Sequence, residues 1–409
     1  MDWNQTAEHI ARRLKELSGF TATPGEGCTR LPFTKETREA ADYLKAEMAA
    51  DGLETWEDGA GNVFGRLPGR DAALPCIMCG SHYDSVVCGG NYDGIAGVVC
   101  AMELARLLKE CGPLDRDFVV AAFMDEEGCR FGSGCFGSRA IMGRITPEYC
   151  HSVRDKRDGS TVAQRMKEYG LDPERVAEAA WAPGTIGNYL ELHIEQGPVL
   201  DAKGIQLGLV DCIVGIQRYM VTIYGQSNHA GTTPMDMRQD AMDRAARVIV
   251  RAGEIARAKG RGCVATVGYV EAFPGSYNVV PGKAVFSVEM RATEQGLVDQ
   301  MAAEIRQALE EETADGLTFE MEQKANTPPV HLSRRMTELS EGICRDRGFT
   351  YRIMPSGAGH DAQIIGQSVE ASMLFVPSRQ GLSHCPQEHS ECTDLLRAVQ
   401  VALELIRKL

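Results

Sequence analysis

No apolar run in the 409-residue sequence approaches the roughly 18 residues of a membrane span, so a transmembrane protein is not expected. The opening residues, Met1-Asp2-Trp3-Asn4-Gln5, carry neither a basic patch nor an apolar stretch of the secretory kind. Positive charge is in deficit: 43 Lys and Arg stand against 57 Asp and Glu, a formal net charge of -14. That balance argues against nucleic acid and anionic membrane as partners. It leaves room for a small anionic substrate, because one local Arg outweighs the global field. Cysteines number 14, yet they are scattered and lack the framework of a small disulfide-rich domain. Cys76 and Cys79 form a CxxC, but no second CxxC completes a zinc ribbon, and core thiols are the better reading. A reduced cytoplasm is therefore the expected location. Internal repeats and low-complexity segments are absent as well.

What is present is the composition of a soluble globular protein, 44% apolar and 24% charged. The length exceeds one ordinary core, and two domains are the natural prior. Residues 4–18 carry Ile10, Leu14 and Leu17 at helical spacing, and Thr34 is an N-cap candidate for a helix through Met48. Strands read at 62–67 and 75–80, followed by an amphipathic helix at 95–109. A continuous apolar run at 117–124 has the pattern of a central strand covered on both faces. Residues 160–180 read as helical, and 189–198 alternate apolar and polar as a strand does. Strands and helices in turn make an α/β domain. Near Gly208 the character changes. Two strands over 210–224, a helix over 240–259, strands over 263–271 and 284–291, a helix over 294–312 and a strand over 317–324 follow. That β-α-β-β-α-β order is the ferredoxin-like pattern. It reads as a separate domain, 210–326, inserted between α/β segments 1–209 and 327–409. The second segment carries a helix over 334–347, a strand over 371–376 and a final helix over 391–408.

The chemistry-bearing residues cluster at predicted strand ends. Gly80-Ser81-His82-Tyr83-Asp84-Ser85 follows an apolar strand, and Gly89-Gly90-Asn91-Tyr92-Asp93-Gly94 precedes a helix. His82 and Asp84 lie two apart and share one face of an extended backbone. One ligand leaving a strand end and a second arriving from the next loop is the layout of a metal site. Asp125-Glu126-Glu127-Gly128 ends the apolar run, where unpaired carboxylates are costly as ordinary core. His193 shares a strand face with Glu191 and Glu195, and His384 follows a later strand. In open α/β sheets such ends converge on one crevice. Imidazole plus carboxylate suits zinc, manganese, cobalt or nickel, and the lack of a thiolate set disfavours a structural cysteine site. Taken singly, each histidine reads as readily as a structural or surface residue. The joint pattern favours a ligand set. In the pair Glu126-Glu127, one carboxylate can bind metal while its neighbour acts as general base. Asp84 fits as the group that orients His82 and fixes its tautomer.

A resemblance covers nearly the whole chain. In this order, Gly80-Ser81-His82-Tyr83-Asp84-Ser85, Gly90-Asn91-Tyr92-Asp93-Gly94, Asp125-Glu126-Glu127-Gly128-Cys129-Arg130-Phe131, Glu191-Leu192-His193-Ile194-Glu195-Gln196-Gly197, Asn228-His229-Ala230-Gly231-Thr232-Thr233-Pro234-Met235 and Ser383-His384 resemble the M20 metallopeptidase-like amidohydrolases. More narrowly, they resemble the branch of N-carbamoyl-L-amino-acid hydrolases, β-ureidopropionases and allantoate amidohydrolases. The resemblance implies a zinc-exopeptidase-like α/β catalytic domain with the inserted ferredoxin-like α+β domain as lid and dimerisation domain. It implies two divalent metal ions about 3.5 Å apart, bridged by Asp93. His82 and Glu127 would complete one pair of positions, with His193 and His384 as the others. Glu126 would be the base that takes a proton from water and hands it to the leaving nitrogen. Gln196, Gln217, Asn278, Arg291, Gly359 and His360 would contact substrate. Arg291 would be the fork for a carboxylate, and the glycine turn at Gly359-His360 would offer backbone amides to an anion. By its residues alone Arg291 reads as readily as a strand-end surface charge. His229, in a Gly/Thr turn, reads alone as a capping or surface residue. The resemblance makes it catalytic: supplied by the partner subunit of a homodimer, it stabilises the tetrahedral oxyanion. The chain departs from the family at Cys129, where a small Ser is usual, and Cys88 and Cys385 flank proposed ligands.

The implied reaction is hydrolysis of the ureido C–N bond of an N-carbamoyl-L-amino acid, releasing ammonia and carbon dioxide. The nearest rival is an allantoate amidohydrolase, whose subgroup fits Gly215-Ile216-Gln217-Arg218-Tyr219 and Ser227-Asn228-His229-Ala230-Gly231-Thr232-Thr233. Asp125-Glu126-Glu127 with Phe131-Gly132-Ser133-Gly134 reads more like the carbamoylases. A β-ureidopropionase, and then an M20 dipeptidase or aminoacylase, are further enzyme readings. A catalytically dead binder on the same fold is a reading from another class, and an intact Glu126 with a full ligand set speaks against it.

Overall fold

The structure, a computed structural model, describes residues 2–260 and 262–409. The chain forms two compact units: one runs to Asp211 and resumes over His331–Leu409, and the other is Cys212–Val330. Apolar runs place the central strands of the first unit. Every residue of Cys76–His82 and Phe118–Phe123 is buried, as expected of strands covered on both faces. The sheet includes, in order, Glu54–Glu57, Val63–Leu67, Phe118–Phe123, Cys76–His82, Ile186–Ile194, Glu370–Val376 and Leu207–Ile213. Its four middle strands run parallel, and antiparallel neighbours flank them. The carboxyl ends at His82, Phe123, Ile194 and Val376 therefore open on one edge, where the loops carrying the candidate ligands emerge.

The helix Ile95–Cys111 packs on this sheet and sets the depth of the loop before it. A Cβ at Gly97 would lie 2.1 Å from the Leu192 carbonyl oxygen, so only glycine permits that approach. At Gly94, φ is +63° and a Cβ would lie 2.4 Å from three atoms of the His82 ring. Asp93 is thus brought directly beside His82. The helix Lys35–Ala50 begins as expected at Thr34, in a reciprocal capping box with Thr37.

The second unit has the expected ferredoxin-like topology. Its antiparallel sheet runs Val270–Phe273, Lys283–Ala292, Gly215–Tyr224, Thr318–Thr327. Burial alternates strictly along Lys283–Ala292. The inward residues Phe286, Val288 and Met290 share one core with Ala245, Val248 and Ala252 of helix Ala241–Lys259, and with Val298, Met301 and Ile305 of helix Gln295–Thr313.

Three readings change. Of the two strands expected over 210–224 in the inserted domain, the first, Leu207–Ile213, joins the sheet of the first unit, antiparallel to Glu370–Val376, and only Gly215–Tyr224 belongs to the second sheet. The expected strand over 263–271 is two pieces, Val264–Thr266 and Val270–Phe273. Thr266 opposes Glu289 while Val270 opposes Phe286, so one extra residue bulges out around Gly268. The expected helix over 160–180 is Val162–Tyr169, ended by Gly170 in the left-handed region, followed by the 3-10 turn Pro173–Ala179. No helix among the described residues is long and apolar enough to cross a membrane.

Candidate metal centre

His82 is the last residue of its strand, and its Nδ1 lies 3.2 Å from the Asp84 carbonyl oxygen. His193 places its Nδ1 2.8 Å from the Ile194 carbonyl oxygen. A carbonyl only accepts, so in the neutral ring each Nδ1 carries the proton and each Nε2 offers a lone pair. Both lone pairs meet Asp93 Oδ1, at 3.4 Å from His82 and 3.1 Å from His193. The other Asp93 oxygen, Oδ2, lies 3.1 Å from His384 Nε2, which is 3.4 Å from Glu127 Oε1. Two groups result, His82–Asp93–His193 and Asp93–Glu127–His384, each with ligand atoms within 4.8 Å of one another.

The atoms themselves argue for a cation. Asp93 Oδ1, Glu127 Oε1 and His193 Nε2 are buried without a hydrogen-bond partner. Such orphaned acceptors, aimed at one another, are costly unless a positive charge lies among them. Nitrogen and oxygen donors without thiolate fit a divalent ion of the zinc or manganese kind. A third group, Glu191–His193–His360, shares His193. Its Glu191 oxygens are already taken by the Ser81 hydroxyl at 2.8 Å, the Tyr189 hydroxyl at 3.2 Å and the Ala362 amide at 2.8 Å.

The grouping differs from the expected pairing of His82 with Glu127. Adjacent parallel strands place His82 and His193 side by side, with ring centroids 5.8 Å apart, while Glu127 meets His384. Charge follows the same geometry. Burial works against the Asp93 charge, but contact with His193, His384 and His82 holds its carboxyl well below the usual range. Contact with Asp93 raises His384 to about 9. Burial, then Asp93, raises the Glu127 carboxyl to about 7.

Glu126 stands beside these groups and outside them, its Oε2 3.8 Å from His82 Nε2. Burial pushes its carboxyl well above the usual range, with Glu127 and Asp361 adding and His82 opposing. A carboxylate made reluctant to stay charged is a ready proton acceptor. The Asp84 carboxylate accepts from the Glu126 amide at 3.0 Å and the Glu127 amide at 3.3 Å. Its side chain therefore fixes the acid pair, whereas its carbonyl makes the closer contact to His82.

The remaining candidates divide between the units. Gln196, strained at φ +56°, points its Nε2 at Asp93 Oδ2 (2.7 Å) and His384 Nε2 (3.2 Å). The His360 ring packs 4.5 Å from that of His193, following Gly359 in its loop, and its Nε2 is 2.8 Å from the Ser356 hydroxyl. Gln217, Asn278, Arg291 and His229 lie on the second unit. Gln217 is buried and donates to Asp299 at 2.7 Å, and Arg291 pairs with Glu289 at 2.6 Å. Asn278 is exposed, and its carbonyl accepts from the Ala230 amide at 2.9 Å. His229 is exposed too, and its Nδ1 accepts from the Gly231 and Thr232 amides at 3.0 and 3.2 Å. The neutral ring then carries its proton on Nε2, free to donate.

This arrangement of ligands is matched by sequence: the profile of Peptidase family M20/M25/M40 aligns with residues 78–408. The chain belongs to that family. It is 39% identical over 408 residues to an N-carbamoyl-L-amino-acid amidohydrolase of Paenarthrobacter aurescens, covering 98% of both chains. It is 36% identical over 405 residues to an allantoate amidohydrolase of Escherichia coli (strain K12), covering 98% of this chain and 97% of the other. A solved hydantoinase/carbamoylase-family amidase from Burkholderia multivorans superimposes with a TM-score of 0.91 at 32% identity, over 98% of this chain and 97% of that one.

Several residues around this M20 centre escaped the sequence reading. Glu191 is legible in the sequence only as a strand-face neighbour of His193, yet it accepts from the Ala362 amide in the first turn of helix Asp361–Ile365. Cys135 lies with its Sγ 3.8 Å from Glu126 Oε1 and 3.7 Å from the His360 carbonyl oxygen. Glu388 holds two ligand loops at once. Its one signal was a carboxylate four residues after His384, and polar loops carry many of those.

Proposed function

We propose that the protein is a binuclear, metal-dependent amidohydrolase that cleaves the ureido C–N bond of N-carbamoyl-L-amino acids, with release of ammonia and carbon dioxide. The observation that carries the reading is the sharing of Asp93 between two groups of candidate ligands, with Glu126 beside them and a member of neither. His82, Asp93 and His193 would hold one divalent ion, and Asp93, Glu127 and His384 the other. Bound there, such ions supply Lewis acidity toward the ureido carbonyl and toward water. Glu126 takes the proton from the attacking water and delivers it to the departing nitrogen. Asp84 keeps the Glu126 and Glu127 backbone in place throughout. Gln196, Gly359 and His360 contact the substrate from the first unit; Gln217, Asn278 and Arg291 do so from the second, Arg291 exchanging Glu289 for the substrate carboxylate. His229 donates from Nε2 to the developing oxyanion in a homodimer formed through the second unit. The site works on a small ureido acid in the cytoplasm.

Allantoate is the second reading. The allantoate amidohydrolase of Escherichia coli is nearly as similar as the carbamoylases, and the stretch around Gln217 favours it. The test is ammonia release by metal-reconstituted protein from a panel of N-carbamoyl amino acids and from allantoate, with and without chelator. Turnover of N-carbamoyl amino acids that chelator abolishes is expected. Preference for allantoate moves the assignment to the second reading, and no release from either refutes both.

A further inference from the structure

Glu388 joins the two loops that carry Asp93 and His384. Its side chain is 4% exposed, and both oxygens are in use. Oε1 accepts from the Tyr92 and Asp93 amides, each at 3.0 Å. Oε2 accepts from the Ser383 hydroxyl at 2.8 Å and the His384 amide at 3.3 Å. The Ser383 hydroxyl is also 3.1 Å from Asp93 Oδ2, so its single proton lies between the two carboxylates. The neighbouring residue repeats the grip: His389 Nδ1 is 3.0 Å from the Tyr92 hydroxyl, and the two rings pack edge to face at 5.1 Å. Gly90 makes room for the clasp, because a Cβ there would lie 2.1 Å from Glu388 Oε1.

His384 is the candidate ligand with the greatest need of such an anchor. His82 and His193 stand at strand ends, with side chains 1% exposed and each Nδ1 fixed by a backbone carbonyl. His384 sits on a loop at φ +57°, with its side chain 47% exposed. A non-glycine residue in the left-handed region persists only where its surroundings hold it there. Glu388 supplies that hold by fixing the His384 amide to the backbone of Asp93.

We infer that Glu388 is a positioning residue that sets the distance between Asp93 and His384 and so determines the affinity of the Asp93–Glu127–His384 position for its ion. The inference rests on the two-ion reading of the site. It predicts unequal effects. The position built from His82, His193 and Asp93 Oδ1 keeps two ligands that Glu388 does not touch. Glu388→Gln retains the shape but turns an N–H toward one of the two loops, whose donors it cannot satisfy. Glu388→Ala removes both contacts.

The test is titration of the full-length metal-free protein with manganese against a competing chelator, with bound metal counted by mass spectrometry and no substrate present. Wild type is expected to bind two ions. Glu388→Gln and Glu388→Ala should bind one ion as wild type does and the other about 10- to 100-fold more weakly, Ala more so than Gln. Their metal-free forms should keep the wild-type circular dichroism and a single cooperative unfolding transition, with a midpoint lowered by the loss of these buried hydrogen bonds. Wild-type affinity for both ions in both variants overturns the role, and so does an equal loss of both ions. A wild type that binds fewer than two ions overturns the two-ion reading itself, an outcome separate from either.

Discussion

Glu126 and Glu127 are neighbours in sequence with opposed fates. Glu127 meets His384 and Asp93, while Glu126 stands 3.8 Å from His82 and its carboxyl is pushed up by burial. Replacing Glu126 with Gln keeps volume and hydrogen bonding but removes the proton acceptor. Metal content should be unchanged and kcat should fall by about 10²- to 10⁴-fold; retained turnover in a steady-state assay would remove Glu126 as the base. Protonation also governs loading of the metal centre. Without metal, His384 titrates near 9 and Glu127 near 7. An ion needs both groups deprotonated. Below pH 7 it displaces a proton from each, between 7 and 9 from His384 alone, and above 9 from neither. Apparent affinity of the Asp93–Glu127–His384 position should therefore rise with pH, by about tenfold per unit between 7 and 9. Chelator-competition titrations across that window check this, and a flat profile would contradict it. The candidate ligands were legible because His, Asp and Glu at strand ends are costly without a purpose. Glu388 and Cys135 were not, since their partners lie far away in the chain and no local pattern announces them.

Elements came through where the pattern was long. The run over 117–124 is a central strand, Phe118–Phe123, because continuous apolar character has no other stable place. The short strand Glu54–Glu57 and the helices Phe136–Ile141 and Pro147–Ser152 are four to six residues long and carry too little period to see. A buried charge escaped for a different reason. Arg13 lies between Ile10 and Leu14 in the sequence, where an arginine is ordinarily solvated, yet its side chain is 2% exposed. It bonds Glu47 at 3.1 Å, Asp51 at 2.6 Å and Glu103 at 2.7 Å, tying helices Trp3–Leu17, Lys35–Ala50 and Ile95–Cys111 together. Glu103 is itself fully buried, so Arg13→Ala leaves a carboxylate short of its partner inside the protein. Stability should fall by about 3–5 kcal/mol, read from denaturant midpoints. A loss below about 1 kcal/mol would mean that Arg106, 2.9 Å from Glu103, compensates alone.

At the scale of the molecule, the two units differ in what their surfaces offer. The first holds every candidate ligand and Glu126. The second exposes Met235, Met237, Phe273 and Tyr277, the last at 108% relative accessibility. Large exposed apolar side chains suit an association surface where they gather in one patch. They lie close in sequence to His229 and Asn278, on the loops whose short strands Asn228–His229 and Val279–Val280 pair with each other. His229, on this exposed hairpin, has its Nδ1 occupied by its own turn, which leaves the Nε2 proton of the neutral ring pointing away from that turn's amides. If two chains assemble through this unit, each active site draws Glu126 from one chain and His229 from the other. Glu126→Gln and His229→Ala homodimers should then each be inactive. Mixing them and allowing subunits to exchange should yield heterodimers with one site carrying both substitutions and one site intact. For equal amounts and random exchange, half of the dimers are mixed, and activity should recover to about a quarter of wild type. Ammonia release before and after exchange, with light scattering to follow the dimer, decides the matter. No recovery in a population shown to exchange places His229 in the site of its own chain or outside the reaction.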